Sequence, residues 1–317
     1  MKSINRYIKS HYLPDKSVKS LWKLLIGART QQTYFDAVMQ DLLPVYELYP
    51  NVSFEAVTRL VRNDSEENIS INNNLKLYPY FYYASELSFS SFVLLLQTVS
   101  EYLYHSSDYL PSSNRLFIQQ HVKQLFTKIK KEDQFIHLAQ EVDDLSQYIF
   151  KSTGSCYFIH FLHGHQIRPD SYEQLSKQFN LSIDEIKSQM ITEKNLMLHA
   201  FKTREYKLLS YLYVRTPLHI NTSDTYQRLI NGDSIDMIQR NKSVRIHTIQ
   251  DHIIEILIKD YPLDISNYLS EQEYIAIKEI IENNRYGKLK TLYEISPIKD
   301  YFKLKIAIVK YKMEQCK

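Results

Sequence analysis

Arg245, His247, Thr248 and Gln250 are donor-bearing side chains close together in the stretch SIDMIQRNKSVRIHTIQDHI, residues 234–253. Such groups can hydrogen-bond base edges, and the nearby Arg240 and Lys242 can neutralise phosphates. The same stretch carries apolar anchors at Ile235, Ile238, Val244, Ile249 and Ile253. Their spacing predicts two short helices locked across a tight turn, the second with its polar residues outward. That is the pattern of a helix-turn-helix whose recognition helix enters a major groove. Two positions depart from the usual small residue and glycine of this motif, Gln239 inside and Ser243 at the turn. The alternative reading of these residues is a packing corner that binds nothing.

The rest of the chain offers less chemistry. Cys156, His160, His163 and His165 have the spacing C-x3-H-x2-H-x-H, and zinc accepts such donors. A Cys156–Leu162 helix running into a His-Gly-His loop, with Phe158, Ile159 and Phe161 as core, explains them without metal, so no metal site is expected. No Walker loop, GxGxxG, GxSxG or HExxH occurs. Asp170, Glu173 and Lys177 share a predicted helix rather than spanning paired strands, and Asp143-Asp144 reads as a solvated face. No enzyme activity, cofactor or small-molecule substrate is expected. The aromatic run Tyr78-Pro-Tyr-Phe-Tyr-Tyr83 lacks interleaved Arg or Lys, which favours packing over base stacking.

The elements that must position these residues read as helices. Five glycines and nine prolines in 317 residues leave long periodic runs uninterrupted, and the expected class is all-α. Helices are expected over 17–26 with Gly27 as the stop, from Thr30 to near Pro44, and over 54–61, 88–104, 114–129 and 133–150. An exposed loop is expected over 63–74. A second bihelical unit covers 170–190, with Leu175, Phe179, Leu181 and Ile186 inward, Asn180 at the turn and Ser182 as a cap. Its outer Asp184 and Glu185 would repel phosphates, so it suits a protein neighbour better than DNA. A helix over 193–214 should end before Pro217, with a linker at 215–223. The resulting domains are a helical segment 1–150, a middle helix-turn-helix-like unit with its long helix 151–219, and a helix-turn-helix domain 220–317.

A net charge of +3 does not by itself point to nucleic acid, but basic residues concentrate at both ends. Either cluster can touch phosphates or form a solvated face. Cys156 and Cys316 make no CxxC pair, no signal-like run opens the chain, and Phe92–Leu96 is far short of a membrane span. The expectation is a cytoplasmic, nucleoid-associated protein with no membrane partner.

From Thr225 onward, TYQRLINGDSIDMI, then TIQDHI and the tail LKTLYE with DYFKLKIAI, the chain resembles the helix-turn-helix domain at the C-terminus of bacterial RecQ-type helicases. No motor precedes it. A helical segment followed by this domain, with LLIGARTQQT at 24–33, resembles the free-standing YpbB-type proteins of low-GC Gram-positive bacteria. The resemblance implies a DNA-associated accessory protein working with a separate RecQ-type helicase in replication or repair. The N-terminal half is the expected docking platform. The competing readings are a sequence-specific transcription regulator and a protein–protein adaptor that does not touch DNA.

Overall fold

A computed structural model describes residues 2–62, 77–283 and 288–314. Its helices are α1 (Lys2–His11), α2 (Val18–Leu25), α3 (Gln31–Met39), α4 (Phe54–Arg62), α5 (Tyr82–Leu103), α6 (Leu116–Lys131), α7 (Phe135–Thr153), α8 (Tyr172–Phe179), α9 (Ile183–Thr203), α10 (Ile220–Ile230), α11 (Ile235–Lys242), α12 (Ile246–Ile258), α13 (Glu271–Asn283), α14 (Leu289–Ile295) and α15 (Tyr301–Glu314). Among the described residues there is no strand, only an isolated bridge between Gly164 and Ile167, and the fold is all-α. The loop expected over 63–74 lies outside the described residues. No described helix is long and apolar enough to cross a membrane.

The chain forms two compact units. One holds α5–α9; the other joins α2–α4 to α10–α15, and the division passes through α1. This differs from the three segments expected at 1–150, 151–219 and 220–317. Residues 151–214 do not stand apart, because Phe158 and Phe201 pack on Phe92 of α5 at ring-centroid distances of 6.1 and 6.0 Å. Residues 8–62 do not belong with α5–α7, because α3 packs against α12 and α15. The physical cause is α12 itself. Ile249, Ile253 and Ile256 lie along one side, Ile254 and Ile258 along another, and all are buried. A helix apolar on several sides needs cover on several sides. Tyr34, Phe35, Ala37 and Val38 of α3 are buried with them.

In the α5–α9 unit the bihelical segment forms as expected at its turn. Asn180 takes the left-handed conformation at φ 52°, and Ser182 caps α9 by accepting from the Glu185 amide. Leu175 and Ile186 are buried, whereas Phe179 is partly exposed, edge-on to Tyr157 and His160. The helix expected over 193–214 is instead the end of a single α9 from Ile183 to Thr203. Pro217 does not end it. The Glu141 carboxylate accepts from the amides of Lys207, Leu208 and Leu209 at 2.7–3.2 Å, which holds the chain out of the helix. The expected Cys156–Leu162 helix is a 3-10 turn, Tyr157–Phe161, with Ile159 exposed. Buried Glu193 of α9 captures the amides of Tyr157 and Phe158 at 3.0 and 2.8 Å. The aromatic run is core: Tyr80 and Phe81 are buried, and Tyr78 stacks on His199.

In the other unit, α2 stops as expected at Gly27. Its φ of +77° is costly for an L-residue, and a Cβ there would meet the Glu47 side chain at 2.5 Å. α3 begins at Gln31 under a Thr30 cap and ends at Met39, short of Pro44. The linker expected over 215–223 is shorter, because α10 begins at Ile220.

Candidate nucleic-acid interface

The turn between α11 and α12 is built from local rules. Ser234 caps α11, its hydroxyl accepting from the Met237 amide at 3.2 Å. Ser243 ends the helix in the left-handed conformation, φ 52° and ψ 39°, and its amide and that of Val244 return to the carbonyls of Arg240 and Gln239. Ser243 therefore does what glycine does in other copies of this motif, at the steric cost of its Cβ. Beneath the turn Ile238, Ile249 and Ile253 are fully buried, with Ile235 and Val244 packed against them.

The first turn of α12 is exposed. Arg245 precedes the helix and offers no side-chain cap, and the first turn carries no carboxylate. Arg240, Arg245, His247 and Thr248 are exposed, and Gln250 is half-buried. Arg240 and Arg245 form no ion pair among the described residues. His247 Nδ1 lies 2.9 Å from the side-chain Oε1 of Gln250 and so donates to it. That contact orients the Gln250 amide nitrogen and the His247 Nε2, both of which can meet acceptors or donors from outside. The next acid along α12, Asp251, is offset by Lys305 at 3.0 Å.

Lys242 is the exception among the six predicted contacts. Its ammonium pairs with Asp224 at 2.8 Å and donates to the Asn221 carbonyl and Thr225 hydroxyl at 2.9 and 3.1 Å. It clamps α11 to α10, so a phosphate would have to compete with these partners for it. The Thr225 hydroxyl also lies 2.8 Å from His252 Nδ1, so one polar chain stitches α11, α10 and α12 together. Burial first, and the Lys242 ammonium next, hold the His252 imidazole below the usual histidine range.

A second polar centre escaped the sequence reading. Glu255 on α12 is fully buried and pairs with buried Lys259 at 2.6 Å. Its carboxylate also accepts from Gln31 of α3 (2.9 Å), the His219 amide (2.9 Å) and Thr222 of α10 (2.7 Å). Lys259 donates to the Pro217 carbonyl and sits over the Tyr34 ring. Burial opposes ionisation of Glu255, but Lys259 and these donors outweigh it and hold its carboxyl below the usual range. The signal in the sequence was a Glu-x3-Lys pair inside a run of isoleucines, where unpaired charges would be prohibitively costly.

The basic C-terminal cluster is used internally. Lys303, Lys305, Lys310 and Lys312 pair with Glu273, Asp251, Glu271 and Asp41, and Lys299 donates to the carbonyls of Tyr293 and Glu294. The candidate zinc ligands also go to separate partners. Cys156 donates to the Ser146 carbonyl, His160 faces Asp170, and His165 faces Glu101. Among the described residues no group of three or more such side chains is placed to hold a metal.

A family model described as a helix-turn-helix domain matches residues 221–308, from α10 into α15. Protein YpbB of Bacillus subtilis strain 168 is 28% identical over 104 residues, 32% of this chain and 30% of that protein. The similarity thus spans less than a third of the Bacillus protein. No solved structure matches.

Proposed function

We propose that this chain binds duplex DNA through the exposed turn formed by the end of α11 and the start of α12. The observation that carries the reading is the pairing state of the two arginines. Nearly every other cation around the motif is committed to an acid or a carbonyl, while Arg240 and Arg245 stand exposed at the end of α11 and the uncapped start of α12. Recognition helices of this class meet base edges with their N-terminal residues, the only part of α12 left uncovered. His247, Thr248 and Gln250 supply the hydrogen-bonding groups for those edges. The protein performs no chemistry in this account. It acts as an accessory of a separate RecQ-type helicase in replication or repair at the nucleoid, a step that rests on the order of elements from Thr225 to the C-terminal helix. A weak duplex site on such a partner raises the helicase's effective concentration at a fork without a new catalytic group.

Fluorescence anisotropy with a labelled duplex tests the binding. Arg240→Glu with Arg245→Glu should weaken affinity by at least about tenfold, since two attractions become two repulsions. Unchanged affinity in a protein with a normal thermal melt removes this surface from the account. Capture of helicase by tagged protein should survive nuclease treatment; loss of capture after nuclease reduces the association to shared DNA.

A further inference from the structure

A groove with a volume of about 1090 Å³ opens on the helix-turn-helix unit, between the α10–α11 turn and the 262–268 segment. Its apolar lining includes Ile230, Ile246 and Leu263, of which Ile230 is 52% and Ile246 37% exposed. Three carboxylates, Asp233, Asp236 and Asp264, share the lining with no Lys, Arg or His. Asp233 has Arg228 at 4.0 Å, whereas Asp236 and Asp264 have no cationic partner among the described residues. The Ser266 amide donates to Asp264 at 2.9 Å, which keeps that carboxylate ionised.

Phosphate is repelled from such a surface, so the groove is not an extension of the duplex footprint. Apolar side chains flanked by unpaired acids suit a partner that brings apolar side chains flanked by cations. An added strand has no place here, because the described residues present no sheet edge. We propose that the groove docks a basic amphipathic helix of a partner protein, its apolar stripe on Ile230, Ile246 and Leu263 and its Lys or Arg side chains against Asp236 and Asp264. The site ends at Ile246, next to Arg245, so partner and duplex would be held on adjacent surfaces of one unit. The proposal stands independently of duplex binding.

The test uses the full chain and two fluorescein-labelled helical peptides of about 18 residues, roughly five turns. Both carry Leu at i, i+3, i+4 and i+7, one with Lys on its flanks and the other with Glu. The Lys peptide should bind at least about tenfold more tightly than the Glu peptide, and Asp236→Asn with Asp264→Asn should remove at least about fivefold of that preference. Asn keeps the acceptor for the Ser266 amide, so the variant should fold, and a thermal melt checks it. Ile230→Ser should weaken the Lys peptide through the apolar contact alone. A benzophenone at the centre of the Lys peptide should cross-link within 229–236 or 262–268. Equal affinity for the two peptides, a preference untouched by the Asn variant, or cross-links confined elsewhere overturns the proposal.

Discussion

Lys242 and Arg245 are both basic residues beside the same turn, and their surroundings separate their roles. Lys242 is spent on Asp224, Asn221 and Thr225, whereas Arg245 has no partner among the described residues. Lys242→Met should therefore lower stability by about 1.5–3 kcal/mol, the usual worth of charge-assisted hydrogen bonds. It should leave the duplex affinity of the folded protein within about twofold, one phosphate contact being worth far more in low salt. A thermal melt read beside an anisotropy titration checks both halves; a selective loss of affinity would return Lys242 to the interface. Ser243 gives a change of opposite sign. Its left-handed conformation penalises any Cβ, so Ser243→Gly should raise stability by roughly 0.5–1 kcal/mol. A fall in the melting temperature would show that the Ser243 side chain contributes something else.

At the scale of elements, the buried Glu255–Lys259 pair joins α3, α10 and α12, and its removal should act unevenly. Glu255→Ala leaves Lys259 buried without a counter-charge and should cost about 3–5 kcal/mol; replacing both by Met should recover much of the loss. Denaturant melts of the single and double variants decide this, and equal losses would show that the pair is not coupled. Two lowered pKa values in this unit contribute to the acid side of stability. The unfolded chain takes up a proton on His252 at pH values where the folded chain refuses it, so this contribution declines as pH falls below about 6.5. Glu255 acts lower, its contribution being present above about 4.5 and lost as pH falls further. Melts between pH 8 and 5 should show a shallower decline for His252→Gln than for the unaltered protein. Equal slopes would assign that decline to other groups. The short-range signals of these elements were legible: Ser182 and Asn180 sit at the cap and turn positions their side chains favour, and the anchors of α11 and α12 point inward. The partners of α12 were not. Periodicity identifies which faces of a helix are apolar, but nothing in residues 31–39 says that they pack on α12, more than two hundred positions away. The end of α9 was equally hidden, because the carboxylate that stops it belongs to α7.

For the whole molecule, the grouping of α2–α4 with α10–α15 makes the helix-turn-helix unit discontinuous in sequence. A fragment beginning at residue 215 would expose the α12 surface that α3 now covers. Such a fragment should show no cooperative melt, and residues 8–62 supplied separately should restore one; a fragment that melts cooperatively alone would show that α3 is dispensable. Duplex binding should accordingly be a property of the intact chain rather than of 220–317 alone. The salt dependence of that binding asks most directly whether the uncovered start of α12 settles on a phosphate backbone. The intact protein should give a linear fall of log affinity with log salt, and Arg240→Gln with Arg245→Gln should reduce the slope by about 1.8, or about 0.9 for each phosphate no longer neutralised. An identical slope in the two proteins would contradict the account, because the DNA would then be held by some other surface.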